Sequence, residues 1–169
     1  YLDEVGIIIT GAEKKGCFHF SSIGDVGLNA LQGAKVSFVN ENIGIVFAKK
    51  KEPRDISDLS VEVLGCKAEN LNSVKIGDVA VLSSVYDARN GYISAKALNS
   101  RMGCYILMQL LESVTATYND LYFVFTVQHQ LGMRGAKTVS ARIQPDYAII
   151  VDSAVCDEVS GAEDICLDG

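Results

Sequence analysis

The apolar residues of this chain change their period once, near residue 91, and that change limits what the chain can fold into. Up to there they come in runs of strand length. These are "VGIIIT", "GCFHFSS", "AKVSFV", "IGIVFA", "LSVEVLG" and "DVAVLSS", rich in Val, Ile and Phe and separated by clusters of Gly, Asn, Asp or Lys. Residues 11–16 read as a hairpin connection between the first two runs. Cys17 to Phe20 alternate as a strand with one buried face requires, and so do Leu59, Val61 and Val63 against Ser60 and Glu62. About six such strands predict a half-open barrel, because closing or nearly closing a sheet removes its exposed edges.

Beyond Tyr92 the pattern is different. Residues 97–114, "ALNSRMGCYILMQLLESV", are too long for a strand and apolar on most faces, which predicts a buried helix with Asn99 or Ser100 as its N-cap. The continuous run "LYFVFTV" then suits a parallel strand buried on both faces. A helix-compatible stretch near Arg134 to Arg142 and a second such run, "YAIIVDS", complete the order helix, strand, helix, strand. This is an α/β unit with right-handed crossovers. Two parallel strands cannot cover their own faces and edges, so the sheet is expected to be completed by segments before Tyr1 and after Gly169, or by another chain. A start at Tyr1 without methionine and an end in "ICLDG" fit a piece of something longer.

Charge and cysteine content narrow the functional classes. The formal net charge is −6, and the one basic cluster, Lys49, Lys50 and Lys51 with Arg54, reads as a solvated loop. No nucleic-acid partner is expected, since such binding needs clustered positive charge. The five cysteines, Cys17, Cys66, Cys104, Cys156 and Cys166, form no C-x-x-C pair and are odd in number, which fits a reducing cytoplasm. No run has the length of a membrane span, and the first residues lack the features of a signal peptide. A soluble, cytoplasmic protein without a membrane partner is expected.

In open α/β sheets ligands bind at the carboxyl ends of the strands. The first long run ends in Gln128, His129 and Gln130, and the second in Asp152. With Asn99 at the start of the preceding helix, these residues define a candidate rim. Its chemistry is thin. Catalytic zinc keeps three protein ligands, whereas this rim offers one acid, one imidazole and amides. His129 reads either as a hydrogen-bonded imidazole at a strand end or as a site residue, and Asp152 as a turn cap or a ligand. Cys104, inside an apolar helix, reads as packing, and His19 as a surface-facing strand residue. Cys156 could approach His129, but no spacing fixes that pairing. Gly132 and Gly135 relieve a tight turn and form no phosphate-loop motif. Arg134 and Lys137 in the next turn read as a solvated helix start that could also take an anion.

Five blocks in order, "YLDEVGIIIT", "IGIVFAKK", "ISAKALNSRMGCYILMQLLE", "LYFVFTVQHQLGMRGAKT" and "PDYAIIVDSA", resemble the co-catalytic zinc aminopeptidase family. That family includes the glutamyl and deblocking aminopeptidases, the TET complexes and homologues labelled endoglucanase. The resemblance implies a zinc-peptidase-like α/β unit, here incomplete, with an inserted small β-barrel dimerisation domain. The barrel domain would cover residues 4–91, and the partial peptidase-like domain residues 1–3 and 92–169. In the family, an H-x-D motif opens the insertion, an Asp before the helix bridges two metals, a Glu-Glu pair supplies the general base and a ligand, and a later Asp and His complete the site.

Carried over position by position, the motif histidine falls on Tyr1 and its supporting aspartate on Asp3. The bridging aspartate falls on Asn99, the general base on His129 and the adjacent ligand on Gln130. Asp152 alone among the ligands is retained, and the late histidine would lie beyond Gly169. A member that has lost most metal ligands and its general base is therefore expected, catalytically inactive and with no cofactor. Its role would be structural, regulatory or peptide-binding, with self-association through the barrel or pairing with an active paralogue. The alternative is an active metal-dependent hydrolase, with zinc or cobalt held by His129 and Asp152 and completed by missing segments.

Overall fold

The computed structural model describes residues 1–13, 16–65 and 74–154. Its first part is a six-stranded barrel: β1 (Gly6–Ala12), β2 (Cys17–Ile23), β3 (Lys35–Phe38), β4 (Ile43–Ala48), β5 (Leu59–Val63) and β6 (Val79–Leu82). The strand order is β1-β2-β5-β4-β3-β6, every pairing is antiparallel, and β6 returns to pair with β1. The barrel is thus closed, where the apolar pattern predicted one half open. Closure leaves no unpaired strand edge within it.

Alternation selects the interior. Ile7 and Ile9, Phe18 and Phe20, Val36 and Phe38, and Val61 and Val63 point inward and are buried. Leu31, at the end of the one-turn helix α1 (Leu28–Leu31), closes the same core. The lysine loop lies at the surface. Lys50 Nζ pairs with Asp58 Oδ1 at 2.6 Å, and Lys49 Nζ lies 3.4 Å from Glu13 Oε1. His19 sits on the outer face of β2 with its Nε2 2.9 Å from Glu13 Oε1.

A hairpin, β7 (Asp87–Arg89) with β8 (Tyr92–Ser94), follows the barrel. Its side chains are mostly exposed, so no apolar periodicity foreshadows it. The helical part then comprises α2 (Leu98–Ser113) and α3 (Arg134–Ile143), as the sequence predicts. Neither Asn99 nor Ser100 caps α2. Both have non-helical backbone angles at its start, and Ser100 directs its hydroxyl to Tyr1 instead.

The two long apolar runs depart from expectation. Residues 121–127 and 147–153 are placed between and after the helices, but among the described residues neither forms a sheet ladder with another strand. Ile149 and Ile150 are about nine-tenths exposed. The reason is physical: a parallel strand obtains both its hydrogen bonds and its buried faces from neighbours. What these runs do have is helix packing. A Cβ on Gly103 of α2 would stand 2.7 Å from the Val151 carbonyl oxygen, and one on Gly135 would collide with the Val127 carbonyl oxygen. Glycine at both places lets each helix lie directly on the backbone of a run. Leu2 adds one bond, its N–H donating to the Thr126 carbonyl at 2.8 Å.

Candidate functional site

The bond from Leu2 to Thr126 brings the first residues of the chain against the end of the run 121–127, and with them the candidate rim. Past Val127 the backbone turns sharply. Gln128 and Met133 take left-handed angles, Gly132 has φ +91°, and the carbonyls of residues 127–129 are taken up by the N–H groups of residues 132–135. This turn points the N–H groups of His129 and Gln130 back toward the N-terminal segment. Asp3 receives both: the His129 N–H donates to Oδ1 at 3.1 Å and the Gln130 N–H to Oδ2 at 3.0 Å. Burial pushes the Asp3 carboxyl upward, but the hydrogen bonds from Gln130 and His129 outweigh it and hold the group below the usual carboxylate range.

Tyr1 is the centre of the rim. Its ring stacks on the His129 imidazole with centroids 3.6 Å apart and planes 8° from parallel. Its hydroxyl donates to Asn99 Oδ1 at 2.9 Å. Burial first, and the Asp152 carboxylate second, push that phenol above the ordinary tyrosine range. Its carbonyl accepts from Ser100 Oγ and from Cys104 Sγ, each at 3.3 Å. Gln130 also carries its side-chain oxygen against Gly24, at the end of β2, which links the rim to the barrel.

The structure therefore brings Tyr1, Asp3, Asn99, His129 and Gln130 to one place, with Asp152 near enough for its charge to act on the Tyr1 phenol, although they are spread over the whole chain. Two participants escape a reading of the sequence. Ser100 looks like a helix cap, and its one signal is its position next to Asn99 at a helix start. Cys104 is buried as packing predicts, and it also anchors the Tyr1 backbone. Arg134 lines a shallow, largely apolar groove with Val127, Gln128, Val139 and Arg142. The pairing of Cys156 with His129 lies outside the described residues, as do Cys66 and Cys166. Cys17 and Cys104 are free thiols.

A two-metal centre does not fit this donor set. Its negative charges are Asp152 and an Asp3 whose two oxygens are already engaged by backbone N–H groups. Asn99 and Gln130 contribute neutral amides, and Tyr1 a protonated phenol. Among the described residues no three His, Cys, Asp or Glu side chains come together in a way that could hold a metal ion.

Comparison with known proteins places the chain. The family model described as M42 glutamyl aminopeptidase matches residues 1–167. The chain belongs to that family. An Acetivibrio thermocellus relative, named only provisionally as an aminopeptidase, is 34% identical over 157 residues, covering 90% of this chain and 48% of its own length. Among solved structures, an aminopeptidase from the archaeon Desulfurococcus kamchatkensis superposes with a TM-score of 0.83 at 27% identity, covering 95% of this chain and 48% of that one. The Pyrococcus horikoshii TET1 peptidase, which can assemble into a tetrahedron or a large octahedral shell, gives a TM-score of 0.76 at 29% identity, covering 92% and 52%. This M42 family chain thus spans about half the length of the relatives it matches. Among the described residues no helix is long and apolar enough to cross a membrane.

Proposed function

We propose that this M42 family chain is a catalytically inactive member that keeps the family fold and acts as a structural or peptide-binding, regulatory partner. One observation carries the reading. The positions that the resemblance assigns to the site supply two amides, an imidazole, a phenol and only two carboxylates, Asp152 and an Asp3 already engaged by backbone N–H groups, where a dinuclear centre needs more. Replacing Asp by Asn and Glu by Gln preserves shape while removing the negative charge that two neighbouring divalent cations require. His129, which the resemblance puts at the position of the general base, is an imidazole stacked on Tyr1 and not a free carboxylate. Residues 4–91 serve as a barrel domain for self-association, with residues 1–3 and 92–169 as the partial peptidase-like domain. The shells formed by the TET1 peptidase of Pyrococcus horikoshii support a homo-oligomer. Free thiols at Cys17 and Cys104 suit a cytoplasmic setting.

Metal analysis of the purified chain, with an aminopeptidase assay on chromogenic peptides in added zinc or cobalt, tests the proposal. No bound metal and no turnover are expected. Stoichiometric metal with turnover establishes the other reading, an active hydrolase that uses Asp152 and His129. Sedimentation that finds a monomer at high concentration removes the barrel as a self-association surface.

A further inference from the structure

The loss of carboxylates explains why a cation would not be attracted to the rim, and the position of Tyr1 adds a separate obstacle. The phenol donates to Asn99 Oδ1 at 2.9 Å, and the Asp152 charge acts on it. The ring covers one face of His129 at 3.6 Å. Asn99 and His129, which belong to separate elements, are thus joined by one side chain. The carbonyl of the same residue is tied to Ser100 and Cys104, and Ser100 and Cys104 are buried. Rotating the ring out would break its stack and its hydrogen bond to Asn99 together.

We infer that the Tyr1 side chain is an internal plug: it lies between Asn99 and His129 and holds the two together, so the site stays closed to a cation even when charge is restored. A phenol O–H donor satisfies the neutral amide oxygen of Asn99, which would coordinate a cation only weakly. The plug and Asn99 thus form a matched pair. This inference rests on the proposal that the rim holds no metal, and it adds a steric cause to the electrostatic one.

The test compares two variants of the full chain. The first, Asn99→Asp with Gln130→Glu, keeps Tyr1 and offers three carboxylates including Asp152. The second carries Tyr1→Ala in addition, which removes the side chain without adding a ligand. Zinc chloride is titrated into each by calorimetry, and cobalt is followed by its absorption. The variant lacking the ring is expected to bind zinc about tenfold tighter or better than the variant that keeps it. Equal affinities, whether both bind or neither does, overturn the plug. Zinc binding by the unaltered chain overturns the proposed loss of metal itself, so the two failures are distinguishable. A second readout needs no substitution: nitration of the native chain, mapped by mass spectrometry. Tyr1 is expected to react several-fold more slowly than the exposed Tyr118 and Tyr147, and an equal rate overturns the plug as well.

Discussion

The ring of Tyr1 lies flat on the imidazole of His129, 3.6 Å away and 8° from parallel, although 128 positions separate the two residues in the chain. The contact ties Tyr1 to the turn that follows the run 121–127, the same turn whose His129 and Gln130 N–H groups donate to Asp3. The two side chains hold each other by π stacking and apolar contact.

The stack should be measurable as a coupling. Tyr1→Ala and His129→Ala are each expected to destabilise the chain, and the double variant to lose less than their sum by about 0.5–1.5 kcal/mol. Urea unfolding of the four proteins gives this number. A coupling indistinguishable from zero would show that the rings do not support one another in solution.

Asp3 carries a pH dependence of known sign. Its folded pKa is lowered, so the unfolded chain binds more protons between the folded value and about 3.9, and stability rises with pH across that window. The contribution is complete above the unfolded pKa and is lost as pH falls through the folded one. Asp3→Asn is expected to cost about 1–3 kcal/mol at pH 7, because an amide cannot accept both N–H bonds as a carboxylate does. The gap between native and variant should narrow as the pH drops below 4. Urea midpoints across pH measure this, and a gap independent of pH would assign the loss to something other than the carboxylate.

Much of this arrangement can be read from the sequence, for reasons that differ by residue. Ile7, Ile9, Phe18 and Phe20 reveal the barrel because a period of two is a local property of a strand. Its closure is not local, since it depends on β6 pairing with β1 across some seventy positions. His129, Gln130 and Asp152 are legible as a rim because strand ends have fixed polarity. The role of Tyr1 is not, because nothing near it in sequence says that Ser100, Asn99 and His129 will surround it. The runs 121–127 and 147–153 show the opposite failure. Their composition announces burial, but burial is supplied by neighbouring strands that a single run cannot specify.

Gly135 tests how α3 is seated. Its Cβ-less backbone lies against the Val127 carbonyl, and its own N–H donates to that oxygen at 3.2 Å. Gly135→Ala forces the helix away from the run and is expected to cost about 1–3 kcal/mol despite alanine's better helix propensity. Circular dichroism and urea unfolding measure the outcome. A stabilised variant would mean that α3 does not rest on residues 121–127.

The barrel has a core of its own, and this makes its stability separable from the rim. The buried cluster that includes Ile9, Phe20, Val46 and Val61 draws no member from α2, α3 or the runs beside them. Ile9 is 1% exposed, and Ile9→Ala should remove about 2–5 kcal/mol from the barrel, whereas Val85→Ala, at a position 83% exposed, should stay within about 0.5 kcal/mol. Hydrogen exchange resolved by segment reads the two parts independently. Faster exchange confined to residues 6–82 in Ile9→Ala, with the His129 and Gln130 amides still protected by Asp3, is the expected result. Simultaneous loss of protection at those two amides would mean that the contact of Gln130 with Gly24 couples the parts strongly enough to unfold them as one.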